Sequence, residues 1–578
     1  MEQVKNRRWQ LKKYTPEVAE ELSRELDISG LHSRVLSARG FSSVADARQY
    51  LSPELADLGD PFLLKGMEES VARIIRAREQ GETVCIHGDY DVDGITSVAL
   101  LTGFFTAVGV NCCYVIPKRL EEGYGLSTDG VDEAIRLGAS LLITVDCGIT
   151  SVKEALYCRQ QGIDLIVTDH HTPSERIPEA VAVINPLQPG CGSTFKKLAG
   201  VGLALKLAMA VRSRMRNNGF FEGTAQPNLR EYLDLAALGT IADLVPLQGE
   251  NRIIAVAGLR QLAISARPGI IALKKVSLVE NPVSAGDVGF RLAPRLNAAG
   301  RLDDAKRGVE LLLSDDRDFA EALAAELDAG NRERQEIERE MLADALRKLE
   351  SDQSMAGRRS IVMASDKWHP GVIGIVASRL VELYYKPTIL IALQDGRGRG
   401  SGRSINSFHL YDALSCSSRH LIKFGGHSQA AGLEVSEESI GAFYDEFDRC
   451  ATLNIAPDDL VPAISIDAEV SPEEVTDELI RIKESMSPYG IGNPEPQFLL
   501  RGTEVVEARL LKDAHLKLKL RSGGSVFDGI GFRMADRMVD SGKVDLVFVA
   551  EKNVWKGRES LQLKIRDIRR SGGAIGEG

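Results

Sequence analysis

From about residue 65 to 265, short apolar runs alternate with longer stretches of helical spacing. The runs near 83–87, 112–116, 141–145, 164–168 and 181–184 are rich in Val, Ile, Leu and Thr, which predicts strands. Between and around them, 68–80, 95–108, 130–137, 150–160, 201–215 and 229–238 predict helices. Such alternation specifies a mostly parallel sheet covered on both faces. Ahead of it, helical spacing over 15–26 and 44–50 predicts a small helical lead-in across 1–60. Residues 251–312 show a mixed pattern, and 317–350 is rich in Ala, Glu, Leu and Arg with no Pro, which reads as one or two long helices.

A second α/β segment runs from about 359 to 450, with strands predicted at 360–364 and 388–392 around a helix at 371–383. From 461 onward short strand runs dominate, at 463–466, 503–511, 516–520, 525–532, 543–551 and 561–568, with a helical insert at 472–485. That spacing predicts a small β-barrel. The expected organisation is therefore α/β: a lead-in over 1–60, a parallel-sheet domain over 61–312, a connecting helix over 313–352, a smaller α/β domain over 353–455 and a barrel over 456–578.

Composition narrows the setting. A chain of 578 residues is too long for one core, and 44% hydrophobic with 26% charged residues is ordinary for a globular protein. No apolar run approaches the roughly 18 residues that span a bilayer, and the first residues are charged rather than signal-like. The expectation is a cytoplasmic protein with no membrane association. Eight cysteines without a Cys-x-x-Cys pair read as reduced packing thiols, Cys147 among them. A net charge of −11 argues superficially against a nucleic-acid partner, yet Lys118-Arg119, Arg291/Arg295/Arg301 and Arg397/Arg399/Arg403 supply local positive charge.

The apolar runs of the first half end in chemistry. They close on His87-Gly-Asp89-Tyr-Asp91-Val-Asp93-Gly94, on Val145-Asp146-Cys147-Gly148, on Thr168-Asp169-His170-His171 and, more weakly, on Ile184-Asn185-Pro186, and a further run ends in Gly239-Thr-Ile-Ala-Asp243. The ends of parallel strands are where open α/β sheets build their sites. So many carboxylates brought together need cations to offset their charge. One imidazole with oxygen ligands suits Mn²⁺ or Mg²⁺. Alone, Asp89–Asp93 could equally be loop carboxylates with one capping a helix, and Gly94 would permit a tight turn into that helix. Glycines in 396–404 would let backbone N–H groups reach a phosphate that Arg397, Arg399 and Arg403 grip.

These motifs together resemble the DHH phosphoesterase superfamily. Trp368-His-Pro-Gly-Val-Ile-Gly, Gly402-Arg-Ser404, Gly425-Gly-His427 and Tyr489-Gly-Ile-Gly-Asn-Pro-Glu-Pro496 further resemble the RecJ family of single-strand-specific 5′→3′ exonucleases, over about residues 30–570. The resemblance implies a DHH domain, a DHHA1-type second domain and an OB-like barrel. It implies two metal ions, one held by His87, Asp91 and Asp146, the other by Asp93, Asp146, His170 and Asp243, with Asp146 bridging. Asp89 becomes a substitute ligand or a support, Asp169 orients a neighbouring histidine, and His171 meets the substrate as phosphate contact or proton donor. For single-stranded DNA the implied contacts are Lys118, Arg119, Tyr124, Arg301, Ser401, Arg403 and His427. The implied product is the 5′-mononucleotide, and a helicase, a single-strand-binding protein and a monomeric state are the expected context. Two other readings stand beside this one: a DHH hydrolase acting on short oligonucleotides or cyclic dinucleotides, and a non-catalytic DNA-binding scaffold.

Overall fold

The computed structural model describes residues 6–577, apart from 119–122, 124, 303, 356, 540, 556 and 574–575. It divides into two units: Arg48–Arg332 with Met486–Glu495, and the remainder.

In the first unit a five-stranded sheet has the order Asn111–Val115, Thr83–Gly88, Ala139–Val145, Asp164–Thr168, Ala182–Ile184. All four pairings are parallel. Register does the positioning: Gly88 lies opposite Val145, Val145 opposite Thr168 and Thr168 opposite Ile184. The next residue of each strand, Asp89, Asp146, Asp169 and Asn185, therefore falls in one row along the carboxyl edge. Helices Val92–Ala107, Gly200–Asn217 and Leu233–Ala242 share one core with the sheet, built on residues such as Ile86, Phe104, Ile143, Leu203 and Leu235. The first and third of these helices are apolar nearly all round, as befits helices enclosed by other elements. The mixed region 251–312 proves helical, with a π-helical turn at Val288–Leu292 leading into Ala293–Leu302.

Segment Met486–Glu495, which carries most of the Tyr489–Pro496 motif, belongs to this unit although its flanks do not. The buried Arg252 guanidinium donates to the carbonyls of Met486 (3.1 Å), Ser487 (2.9 Å) and Tyr50 (2.7 Å), and lies 4.0 Å from the Tyr50 ring centre. Leu247 N–H donates to Ile491 O at 2.8 Å.

The second unit holds a sheet of order Lys423–Gly426, Ala430–Ser436, Arg397–Arg403, Thr388–Gln394, Ile361–Ser365. This corrects the reading of 396–404 as a phosphate-cradling loop. Arg397–Arg403 is a central strand, its backbone paired with Ala430–Ser436 on one side and Thr388–Gln394 on the other. Its glycines serve packing instead: a Cβ at Gly398 would come within 2.5 Å of Ile391, and one at Gly400 within 2.6 Å of Leu433. Alternation sends Arg397, Arg399, Ser401 and Arg403 to the other face.

A closed five-stranded barrel follows. Phe498–Leu511 pairs with both His515–Ser522 and Lys543–Trp555, while Ser525–Gly531 pairs with Arg558–Arg570. Segment 1–60 holds helices Pro16–Leu26, Gly30–Ala38 and Val44–Leu51, and a strand that the sequence pattern does not predict. Arg8–Leu11 is a strand parallel to Ala463–Ile466, and its buried Trp9 donates Nε1–H to Asp567 at 2.8 Å. Four residues are too few to announce a strand by alternation, and the partner lies some 450 positions away.

Candidate metal centre

Asp91 caps helix Val92–Ala107, its side chain accepting from Asp93 N–H (2.9 Å) and Gly94 N–H (3.2 Å). Gly94 has no left-handed backbone here, so the expected tight turn is replaced by a close approach: a Cβ would press on the Asp89 backbone, 2.6 Å from its nitrogen. Asp93 is fully buried in the first helical turn, and its two oxygens accept from Gly200 N–H (2.6 Å) and Val201 N–H (2.8 Å) at the start of another helix.

Asp146 is held at φ 61°, a left-handed conformation that costs an aspartate energy and marks a backbone fixed by its surroundings. Its N–H donates to Thr168 O at 3.0 Å, and its Oδ1 lies 3.1 Å from His170 Nε2. Ligand atoms converge in three groups, each within 4.8 Å: Asp89, Asp91 and Asp146; Asp93, His170 and Asp243; Asp146, His170 and His171. Asp146 and His170 are each shared between two groups. His87 stands outside these groups; its buried Nε2 has no hydrogen-bond partner among the described residues, and its Nδ1 sits 3.8 Å from Cys147 Sγ.

Asp169 is not directed at the cluster. Its Oδ1 accepts from both the N–H (2.9 Å) and Nδ1 (2.8 Å) of His171, and its Oδ2 from Ile149 N–H (2.9 Å). Asn185, fully buried, donates to His171 O at 2.9 Å. Two contributors escaped the sequence reading. Gly200 faces Asp146 so closely that a Cβ would lie 2.7 Å from the Asp146 Cβ. Asn297 accepts from Val92 N–H at 3.2 Å, beside Asp91. Of residues 297–301, only Arg301 stands out in the sequence, as a positive charge.

Electrostatics follow from burial. Asp93 is pushed up to about 7 by burial and then by the Asp91 charge. Burial and the neighbouring carboxylates also raise Asp146 and Asp243 well above the usual range. Burial lowers His87 to about 4, so it is a neutral imidazole able to donate a lone pair. Cys147 is driven up by burial and by Asp89, and remains a packing thiol. For His171, burial is the largest single influence and works downward, but the Asp169 hydrogen bond and the charges of Asp169, Asp89 and Asp91 together outweigh it, leaving the imidazole above its ordinary value. Carboxylates crowded enough to be forced toward neutrality, together with the buried atoms His87 Nε2 and Asp243 Oδ2, which have no hydrogen-bond partner among the described residues, fit a site built for divalent cations. Oxygen donors with imidazoles fit Mn²⁺ or Mg²⁺.

Of the expected strand contacts, Lys118 is exposed and Arg301 half-buried in the first unit, while Arg119 and Tyr124 lie outside the described residues. Ser401, Arg403 and His427 belong to the second unit. There Arg403 Nη1 donates to Ser401 Oγ at 3.2 Å, and Gly374 leaves room for both side chains, its hypothetical Cβ lying 2.8 Å from Ser401 and 2.9 Å from Arg403. His427 is exposed in the turn between Lys423–Gly426 and Ala430–Ser436.

Residues 83–240 match the DHH family, N-terminal domain, residues 357–452 the DHHA1 domain and residues 466–567 the RecJ OB domain. The single-stranded-DNA-specific exonuclease RecJ of Salmonella typhimurium is 40% identical over 94% of this chain and 96% of its own length. RecJ of Thermus thermophilus in complex with Mn²⁺ superposes with a TM-score of 0.85 at 32% identity, covering 98% of this chain and 80% of that one. Its Mg²⁺ complex gives 0.79 at 31% identity, covering 99% and 79%. With such similarity along nearly its whole length, the chain belongs to the RecJ family of DHH proteins.

Proposed function

We infer that this protein is a metal-dependent exonuclease that degrades single-stranded DNA from its 5′ end to 5′-mononucleotides, in DNA repair and recombination. The observation that carries the reading is the row of carboxylates and imidazoles at one sheet edge, joined through Asp146 and His170. RecJ relatives are single-stranded-DNA-specific exonucleases, and RecJ has been solved with Mn²⁺ and with Mg²⁺.

We assign His87, Asp91 and Asp146 to one divalent ion, Mn²⁺ or Mg²⁺, and Asp93, Asp146, His170 and Asp243 to the other, with Asp89 in support. When bound, such ions offset charge on the phosphoryl oxygens and acidify the attacking water. The chain's own part is positional. Asp146 belongs both to the group with Asp89 and Asp91 and to the group with His170 and His171, Asp93 is clamped by two backbone N–H groups, and Asp169 fixes the His171 ring. His171, its ring oriented by Asp169 and its pKa raised above the ordinary imidazole value, is assigned to give a proton to the departing 3′ oxygen. Arg301, Lys118, Arg119, Tyr124, Ser401, Arg403 and His427 are assigned to the strand. The barrel suits a polymer substrate, since OB folds are single-strand platforms. Cytoplasmic action as a monomer beside a helicase and a single-strand-binding protein completes the proposal.

Time-resolved digestion of end-labelled single- and double-stranded DNA with Mn²⁺ or Mg²⁺ tests it. The expected result is label released as mononucleotide from only the 5′ end of the single strand. Endonucleolytic fragments, or no hydrolysis, would overturn it.

A further inference from the structure

The helical run that ends at the metal motif begins with an aromatic ring in water. Phe290, inside the π-helical turn Val288–Leu292, is 86% exposed, the most exposed of the large apolar side chains described. Such turns concentrate at functional sites, and an exposed phenylalanine forgoes the stabilisation that burial would bring it. The turn is well braced. Arg291 donates to Asp287 (3.1 Å) and to Leu278 O (2.6 Å), and Leu278 is itself 76% exposed at φ 53°.

Position along the helix supplies the connection. Val288, Leu292, Leu296 and Ala299 face the core, whereas Phe290, Asn297 and Arg301, at i, i+7 and i+11, share the opposite stripe. Asn297 reaches Val92 N–H beside Asp91, and a Cβ at Gly300 would lie 2.6 Å from Tyr90 O. One end of the stripe is thus sealed against the metal motif and the other presents the ring. Seven residues span about 10 Å of helix, close to three nucleotides of a stacked strand at about 3.4 Å each.

We propose that Phe290 is a stacking platform for a base of the bound single strand, about three nucleotides from the phosphate at the metal centre. The inference rests on the single-strand reading above. An aromatic face and a guanidinium on one stripe match a base followed by its phosphates, and stacking needs no particular base. Phe290 would then set grip on the strand and leave sequence preference flat.

The probe is a phosphorothioate oligothymidylate, resistant to hydrolysis, carrying one 2-aminopurine at successive positions from the 5′ end, titrated with Mn²⁺ present. For the wild type, fluorescence should be quenched most at the second to fourth nucleotide. In Phe290→Ala that quench should disappear and Kd rise roughly 5- to 150-fold, as expected for one lost base stack; Phe290→Trp should restore both. Since the ring is exposed, an unchanged thermal midpoint will show that the variants fold. Wild-type quenching and affinity in Phe290→Ala would overturn the proposal, as would weakened binding with the quench intact. Failure of the wild type to bind single strands would instead refute the exonuclease reading.

Discussion

Asp169 grips His171 twice through one oxygen, accepting its backbone N–H at 2.9 Å and its ring Nδ1 at 2.8 Å. The imidazole is thereby fixed in tautomer and direction within the group it forms with Asp146 and His170. Asp169→Ala should lower kcat about 10- to 100-fold, and His171→Ala about 10²- to 10⁴-fold. The pH–rate profile separates positioning from simple misfolding. Because Asp169 holds the His171 pKa up, its loss should move the alkaline limb of kcat to lower pH. An unshifted limb would remove His171 from the proton-donor role.

Asp243 is a carboxylate that the metal-free fold holds reluctantly. Burial and then Asp93 and Asp91 raise its pKa, so neutralising it relieves repulsion. Asp243→Asn should raise the thermal midpoint of the metal-free protein by a few degrees, on the order of 1 kcal/mol, while abolishing turnover. Mn²⁺ at about 100 times its Kd should stabilise the wild type by about 2.7 kcal/mol and the variant by much less. Calorimetric scans with and without the ion check both halves. A metal-free midpoint below that of wild type would contradict this account of the cluster.

Gly200 meets Asp146 at the first position of helix Gly200–Asn217. A methyl group there would lie 2.7 Å from the Asp146 Cβ and 3.0 Å from its Cα, and Asp146 is already held in a left-handed conformation. Gly200→Ala should therefore displace Asp146, weaken Mn²⁺ binding about 10- to 100-fold and cut kcat by at least that factor. Isothermal titration with Mn²⁺ is the direct readout. Wild-type affinity in this variant would mean that the contact yields freely.

What the sequence disclosed and what it hid divide along a physical line. Ile86, Val145 and Val167 sit in continuous apolar runs, the mark of strands buried on both faces, so the carboxylates and imidazoles that follow them were legible as strand-end groups. Fold class was legible for the same reason. Contacts made across long separations were not. The clamp on Asp93 by Gly200 and Val201 spans more than 100 residues, and the association of Met486–Glu495 with the metal-bearing unit spans more. The strand Arg397–Arg403 is hidden in the sequence because every second residue is glycine, whose sequence signal is a loop. Only the neighbouring Ile391 and Leu433 reveal why glycine is needed there.

His32 offers a pH dependence remote from the metal centre. It lies buried in helix Gly30–Ala38 with its Nε2 3.3 Å from Ser485 Oγ, beside Glu478. Burial lowers its pKa, and the Glu478 charge recovers only part of the loss. The folded value is thus below the unfolded one, near 6.5, so the unfolded chain takes up the proton first. Its contribution is present in full above about pH 6.5 and is lost as pH falls through that value toward the folded pKa. His32→Gln should cost about 1 kcal/mol at pH 8 through the altered packing and Ser485 contact, and the gap from wild type should narrow by pH 5. Urea midpoints of the two proteins across this range provide the check. Parallel curves would show that His32 does not take up its proton on unfolding in that window.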